Sequence, residues 1–383
     1  MLQSPPSCNF LAPSTYSVAA VVQRVSIAVV IKAFVVISVA NLMSSQRCRI
    51  KTPIPSIGNL KQHQFSWEIV VGRKIFSHKI SRTVRNTLNM ITLLVPLLLS
   101  LALPNVLAWG KDGHYAICKI SQEYLSEDAL FAVKQLLPDS AQADLASVCS
   151  WPDEIRHNYH YRWSSPLHYI DTPDFKCNYQ YCRDCHDSYG HKHRCVTGAI
   201  YNYTMQLKLA NADASSELKY NLTEALMFLS HFVGDVHQPL HVGFTGDLGG
   251  NSITVRWYRR KTNLHHVWDN MIIESALKKF YGSDLSTMIQ AIQRNISDIW
   301  SNDVSIWEHC AHNHTACPDR YASESISLAC KFAYKNATPG STLEDDYFLS
   351  RLPIVEKRLA QGGVRLAAIL NHIFTPKTRI AQA

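Results

Sequence analysis

The amino-acid sequence predicts a mostly α-helical protein with a single compact helical domain and a short β hairpin. Two observations lead to this fold class. Apolar residues recur at helical spacing in four long segments, which are residues 112–125, 223–242, 262–280 and 345–374. Alternation of apolar and polar residues is clear in the short stretch NSITVRWYRR at residues 251–260, which predicts a strand.

The predicted elements have recognisable boundaries. The second helix begins near Thr223 and ends before Pro239, because proline lacks the N–H group that a helix needs and its ring clashes with the preceding turn. The last segment contains Gly362 and Gly363 near its middle, so we predict a pair of helices separated by these glycines. Residues 174–195 are rich in Cys, His and Tyr and predict a loop tied by disulfides.

Charge is distributed unevenly along the 383 residues. Residues 1–108 contain 11 Lys and Arg residues and a single acid, Glu68. The remaining 27 basic and 29 acidic residues give residues 109–383 a formal charge of −2. A basic chain suggests nucleic-acid binding, but here the predicted domain is close to neutral. Any binding of a polyanion must therefore come from a local site or from bound metal.

A short apolar run precedes this domain. Residues 91–103 form the uninterrupted stretch ITLLVPLLLSLAL, and small residues, Val106 and Ala108, follow at the positions that signal peptidase reads. The run is too short to cross a membrane comfortably. We therefore predict a signal peptide at residues 90–108 that is cleaved before Trp109, which places the protein in the secretory pathway, either secreted or vacuolar.

The residues before this signal fit the pattern poorly, because signal peptides start near the N-terminus. We interpret residues 1–89 as an N-terminal extension and not as a domain. Two alternative interpretations are that residues 91–103 form a buried core helix and that the apolar residues 17–43 form a weak signal anchor.

Cysteines and glycosylation sequons agree with secretion. Five sequons follow the predicted cleavage point, at Asn202, Asn221, Asn295, Asn313 and Asn336. Disulfides persist in oxidising compartments, and an odd number of cysteines leaves one thiol unpaired or paired outside the chain. The nine candidates for disulfides are Cys118, Cys149, Cys177, Cys182, Cys185, Cys195, Cys310, Cys317 and Cys330.

Histidine and aspartate recur at a spacing that suits metal binding. His231 and Asp235 are four residues apart in one predicted helix, and His265 and Asp269 repeat the spacing in the next. His241 follows directly after the first of these helices. A single such pair is most often a surface hydrogen bond, but two pairs buried in apolar helices need a partner. Imidazole and carboxylate together favour zinc.

Further motifs complete a recognisable set. They are WGKDGH from Trp109, WPDEIR, LHYIDTP, LSHFVGDVHQPLHVGF, DLGGNSI and NLHHVWD. With these motifs, residues 109–380 resemble the zinc-dependent, single-strand-specific nucleases of fungi and plants, and most closely the plant bifunctional nucleases. The resemblance implies a helical domain similar to zinc phospholipase C. It also implies hydrolysis of single-stranded DNA and RNA to 5′-phosphorylated products, with release of phosphate from 3′-nucleotides.

The resemblance implies three zinc ions. The first would be held by Asp153, His168, His231 and Asp235, the second by His241, His265 and Asp269, and the third by Trp109, His114 and Asp235. Trp109 would bind through its free amine and carbonyl oxygen, so signal cleavage would create the ligand. An amide nitrogen inside the chain has its lone pair delocalised and would not serve. His266 adjoins His265, but only His265 lies four residues before Asp269.

The resemblance also implies roles in catalysis. Zinc lowers the pKa of water, Asp153 would orient the attacking nucleophile, and Arg156 would stabilise charge on the phosphoryl oxygens. Without the resemblance, Arg156 would be read as part of a surface salt bridge. Tyr169 and Asp171 match positions that contact the base, by stacking and by hydrogen bonding. We expect a monomer with no stable protein partner.

Two other functions compete with a nuclease. A zinc phospholipase C-like phosphodiesterase would use the same chemistry on lipid. A secreted zinc-finger-like binding module would use the spacing C-x4-C-x2-C-x9-C at residues 177–195 for metal. The LHYIDTP stretch favours the nuclease over the lipase, and secretion favours disulfides over a finger.

Overall fold

The fold is seen in a computed structural model, which describes residues 109–212 and 220–375. All of these residues belong to one compact unit. The predicted signal peptide and the extension before it lie outside the described residues. Within them no helix combines the length and the apolar character that a membrane crossing requires.

Helices dominate the described part of the chain, which confirms the predicted fold class. The α-helices are α1 (Lys111–Glu123), α2 (Glu127–Leu136), α3 (Trp151–Ile155), α4 (Tyr181–Asp184), α5 (Val196–Ala212), α6 (Leu222–His237), α7 (Leu264–His266), α8 (Ile272–Phe280), α9 (Leu285–Asp298), α10 (Ser301–Glu308), α11 (Pro318–Leu328) and α12 (Asp345–Phe374). Shorter 3-10 helices are Asp139–Ala141, Leu145–Val148, Tyr159–His168, Pro239–Val242 and Ala311–Asn313, and π-helical turns cover Val267–Met271 and Ala329–Ala333.

A small sheet contains the predicted hairpin. Strand β1 (Thr254–Trp257) pairs antiparallel with β2 (Arg260–Asn263), and the register places Trp257 opposite Arg260. Strand β3 (Thr342–Leu343) pairs parallel with β1, so the order is β2-β1-β3. Val255 and Trp257 are buried, which agrees with the alternation in the sequence.

Helix α6 runs through the centre of the domain. Its side chains from Ala225 to His237 are all buried, since helices α1, α5 and α12 pack around it. The Asn221 side chain caps its start by accepting a hydrogen bond from the Glu224 amide at 3.2 Å. The helix ends at His237, two residues before Pro239, as the sequence predicts.

The prediction of two helices at residues 345–374 is wrong, because α12 runs through them without a break. Gly362 and Gly363 lie where α12 crosses α1. A Cβ atom at Gly363 would lie 2.5 Å from Ile120 Cγ2 and 3.1 Å from the Ile117 carbonyl oxygen. The glycines therefore allow two helices to approach closely, and packing outweighs their low helix propensity.

A buried ionic cluster fixes the C-terminal end of α6. Arg358 donates to the His237 carbonyl oxygen at 3.0 Å, and Arg365 donates to His237 Nε2 at 2.9 Å. Both guanidinium groups also donate to the Glu324 carboxylate. Burial alone would raise the pKa of Glu324, but these arginines lower it to about 2, so the carboxylate stays ionised.

Disulfides join distant parts of the chain. The pairs are Cys118–Cys149, Cys177–Cys330, Cys185–Cys195 and Cys310–Cys317, and Cys182 is disulfide-bonded as well. The cysteines at residues 177–195 are thus engaged in covalent bonds, so they do not form the zinc-finger-like module considered above. The loop at residues 174–195 is tied by disulfides, as predicted.

We predict that Gly363→Ala lowers the thermal unfolding midpoint, because the new methyl group overlaps the backbone and side chains of α1. Overpacking of this kind costs about 1–3 kcal/mol. Gly362→Ala is the matched control, since its nearest neighbours are side-chain atoms of Ile117 at 3.2 to 3.4 Å. Calorimetry of both variants checks this. Equal unfolding midpoints for the two variants would show that the close packing of α1 and α12 does not require glycine at residue 363.

Candidate metal centre

Helix α6 supplies the centre of the site. His231 and Asp235 project from adjacent turns, are fully buried, and bring Nε2 within 3.2 Å of Oδ2. Two other elements approach the same carboxylate. His168 ends the 3-10 helix Tyr159–His168 with its Nδ1 at 3.0 Å from Asp235 Oδ2, and His114 of α1 has its Nε2 at 3.3 Å from Oδ1. A fourth imidazole is near, since His241 Nδ1 lies 3.5 Å from Asp235 Oδ1, so the carboxylate lies among four imidazoles.

Pro239 bends the chain so that His241 returns to this cluster. The amide of Ile170 donates to the His241 carbonyl oxygen at 2.7 Å, which joins the segment to the one that carries His168. The π-helical turn Val267–Met271 carries Asp269, whose Oδ2 lies 3.3 Å from His265 Nε2. The predicted pairing of His265 with Asp269 is thus present, whereas His266 contacts Asn270 instead.

Three groups of side chains have the geometry of metal sites. The candidate ligand atoms within each group all lie within 4.8 Å of one another. The groups are His114, His231 and Asp235; Asp153, His168 and His231; and His241, His265 and Asp269. Every member is buried. The structure therefore brings together all eight of the side chains that the resemblance implies as ligands.

Hydrogen bonds orient three of the imidazoles. The Nδ1 atoms lie 2.8 Å from the Cys149 carbonyl oxygen in His231, 2.7 Å from the His168 carbonyl oxygen in His241, and 2.6 Å from the Gly249 carbonyl oxygen in His265. A carbonyl oxygen only accepts, so Nδ1 carries the proton in each ring. The Nε2 lone pair then faces the cluster, which is the arrangement found around metal-bound histidine.

Several polar atoms of the cluster have no hydrogen-bond partner among the described residues. They are Asp153 Oδ1, Asp235 Oδ1, His241 Nε2 and both ring nitrogens of His114. Leaving a buried polar atom without a partner costs about 1–3 kcal/mol. The carboxylate oxygens are acceptors, and each neutral imidazole offers one lone pair, so each of these side chains is a potential ligand. Their chemistry fits divalent cations bound by nitrogen and oxygen.

The pKa values point in the same direction. Burial and the neighbouring His231 lower the pKa of His114 to about 4, so its imidazole is neutral and able to bind metal at ordinary pH. Burial raises the pKa of Asp235 to about 7 and that of Asp269 well above its usual value. Nearby positive charge is what keeps such carboxylates ionised.

Trp109 lies at the head of α1, five residues before His114. Its side chain is fully buried, and the amide of the next residue, Gly110, donates to the Asp269 carbonyl oxygen at 2.9 Å. The N-terminal end of the described chain is therefore held against the turn that carries Asp269. The ring is a core aromatic, which is how composition alone would classify it.

Arg156 lies inside the site. Its Nη2 is 3.4 Å from Asp153 Oδ1, and both side chains are almost fully buried. The salt bridge that would be the ordinary interpretation of this residue does form, but it is not on the surface. A guanidinium group in this position contributes positive charge at the edge of the cluster.

A cavity of about 210 Å³ adjoins the cluster. Tyr169 and Asp171 line this cavity, and so does His265, which also belongs to the third group of candidate ligands. Its lining comprises Tyr169, Ile170, Asp171, Ser188, Leu240, Leu248, Gly249, Asn251 and His265. Ser188 and Asn251 were not identified from the sequence, although Asn251 lies in the DLGGNSI motif. Gln238 was also missed, and it donates to Asp269 Oδ1 at 2.6 Å.

Comparison with known proteins places this site in a family. The sequence model of the family described as S1/P1 Nuclease matches residues 109–375. Endonuclease 4 of Arabidopsis thaliana is 67% identical over 285 residues, which cover 74% of this chain and 95% of the relative. Nuclease P1 of Penicillium citrinum is 33% identical over 69% of this chain and 97% of its own length. The chain therefore belongs to the S1/P1 nuclease family, whose chemistry is phosphodiester hydrolysis.

Proposed function

We propose that the protein is a secreted or vacuolar, monomeric zinc-dependent endonuclease. It hydrolyses single-stranded DNA and RNA to 5′-phosphorylated products and releases phosphate from 3′-nucleotides. The observation that carries this proposal is the buried cluster around Asp235 together with the adjoining cavity, which is lined by Tyr169 and Asp171. Secretion is supported by the disulfides and by exposed sequon residues, among them Asn202, Asn221 and Asn336.

The donor set supports zinc, since neutral imidazole and carboxylate are its usual ligands. Three ions would be held as the family resemblance implies, by Asp153, His168, His231 and Asp235; by His241, His265 and Asp269; and by Trp109, His114 and Asp235. When bound, zinc would supply Lewis-acid chemistry, which lowers the pKa of water and offsets charge on phosphoryl oxygens.

The chain's own residues complete this chemistry. Asp153 Oδ1 makes no hydrogen bond among the described atoms, so it is available to orient the attacking water. Arg156, held 3.4 Å from Asp153, directs its guanidinium toward the negative charge that develops on the phosphate. Because this arginine is almost fully buried, its charge is screened less than at the surface.

The cavity supports a preference for single strands. Tyr169 offers a ring for stacking, while Asp171 and Asn251 offer polar atoms for a base edge. A base reaches such a recess only if it leaves the stack, which costs least in a single strand. A phospholipid has no planar group with polar edges, so the same residues disfavour the phospholipase C-like alternative.

We predict cleavage of heat-denatured DNA and of RNA, with 5′-phosphate at the new ends, and no hydrolysis of phosphatidylcholine vesicles. A chelator should abolish the cleavage and added zinc should restore it. Product analysis by mass spectrometry distinguishes the outcomes. Hydrolysis of lipid alone, or nuclease activity that resists the chelator, would contradict the proposal.

We predict that the free terminus of Trp109, and not its ring, binds the third zinc ion. Trp109→Phe should keep three ions and much of its activity. A form with one extra Ala before Trp109 should lose one ion and about 10²-fold in turnover, because the ligand becomes an amide. Elemental analysis and initial rates check this. Native zinc content and rate in the extended form would show that Trp109 is not a ligand.

A further inference from the structure

A surface groove of about 400 Å³ lies away from the candidate ligands. One wall is formed by Trp163 and Leu167 of the 3-10 helix Tyr159–His168. The other wall is helix α5. The lining includes Trp163, Leu167, Arg194, Ala199, Asn202 and Met205. Its volume is within the range of small-molecule sites.

The face of α5 that lines the groove has an unusual composition. Gly198, Ala199, Asn202 and Met205 are spaced so that they share one side of the helix. Ala199 places only a short side chain beside Asn202, whereas Gly198 packs against the His193 backbone, since a Cβ atom there would lie 2.2 Å from the His193 carbonyl oxygen. Across the groove lies Trp163, which is 44% exposed although it is a large apolar residue. The Trp163 ring packs near Phe228, with 5.7 Å between the ring centroids, and its exposed part is available to a partner in the groove.

The sequence identifies that partner. Asn202 is exposed and begins the sequon Asn-Tyr-Thr, so a glycan on this residue would be attached within the groove itself. We propose that the first sugars of an N-linked glycan on Asn202 lie in this groove. The apolar face of an N-acetylglucosamine ring packs on Trp163, and the sugar hydroxyl groups meet the polar atoms of Arg194.

Charge distinguishes a neutral sugar from a nucleic-acid strand. Arg194 is already engaged, since Nη1 lies 3.4 Å from Asp187 Oδ2 and Nη2 donates to the Trp163 carbonyl oxygen at 3.0 Å. Its positive charge is therefore paired and offers little to a phosphate. A neutral sugar needs no free charge, only apolar area and hydrogen-bonding atoms.

The docked sugar would connect two elements that matter for the site. Trp163 belongs to the 3-10 helix that ends at His168, and Asn202 belongs to α5, which packs along α6. A glycan between them stabilises the segment that carries His168. This inference requires passage through the secretory pathway but does not depend on the nuclease chemistry, so the two proposals fail separately.

The test is the rate at which peptide N-glycosidase releases each glycan from the folded, secreted protein, followed by mass spectrometry of glycopeptides. Docking protects Asn202, so we expect Trp163→Ala to accelerate its release about tenfold, the equivalent of about 1.4 kcal/mol. Tyr159→Ala is the matched control, because Tyr159 is a neighbouring aromatic that is 79% exposed and lies outside the groove. It should leave the rate unchanged.

A second readout is thermal stability. Asn202→Gln and Trp163→Ala should each lower the unfolding midpoint, and the double variant should be no worse than Trp163→Ala alone, because the Trp163 ring also packs near Phe228 and the contact with the glycan is lost only once. Trp163→Phe gives an intermediate release rate and serves if the alanine variant does not fold. The proposal would be overturned if Asn202 carried no glycan, or if Trp163→Ala and the native protein released that glycan at equal rates. Additive effects of the two substitutions on the unfolding midpoint would also overturn it. A raised KM for oligonucleotides in Trp163→Ala, with unchanged release, would assign the groove to nucleic acid instead.

Discussion

The carboxylate of Asp235 is the group on which the site depends. It is fully buried, and ring nitrogens of His114, His168, His231 and His241 lie 3.0 to 3.5 Å from its oxygens. Burying a carboxylate without compensating charge costs several kcal/mol. Burial and neighbouring charges lower the pKa values of these imidazoles, so they are able to act as ligands and do not supply counter-charge. Bound cations would meet both requirements at once, because they would neutralise the carboxylate and accept the imidazole lone pairs.

The rest of the fold holds this carboxylate in place. The Cys118–Cys149 disulfide ties α1 to the segment whose carbonyl oxygen orients His231. At the C-terminal end of α6, Arg358 and Arg365 fix His237. The close crossing of α1 and α12 at Gly363 positions the helix that carries His114. These contacts take no part in the reaction, but they determine the orientation of the candidate ligand side chains.

Sequence patterns predicted the elements whose signal is local. The helix that begins near Thr223 and ends before Pro239, and the pairs His231–Asp235 and His265–Asp269, follow from a repeat of about 3.6 residues. The resemblance added Trp109, which composition classifies as core. Contacts between residues far apart in the sequence could not be predicted from local patterns. Examples are the Cys177–Cys330 disulfide and the hydrogen bond from Gln238 to Asp269. The glycine pair in α12 led to the wrong prediction of a break in the helix. These glycines are required by the close contact with α1 and not by the local conformation of the chain.

The most direct measurement is the zinc content of Asp235→Asn compared with that of Asp269→Asn. Both substitutions keep the shape of the side chain and remove its charge. If Asp235 bridges two ions, its variant loses more than one zinc per chain and all measurable activity, while Asp269→Asn loses no more than one zinc and retains more activity. Equal losses of zinc in the two folded variants would contradict the central position assigned to Asp235.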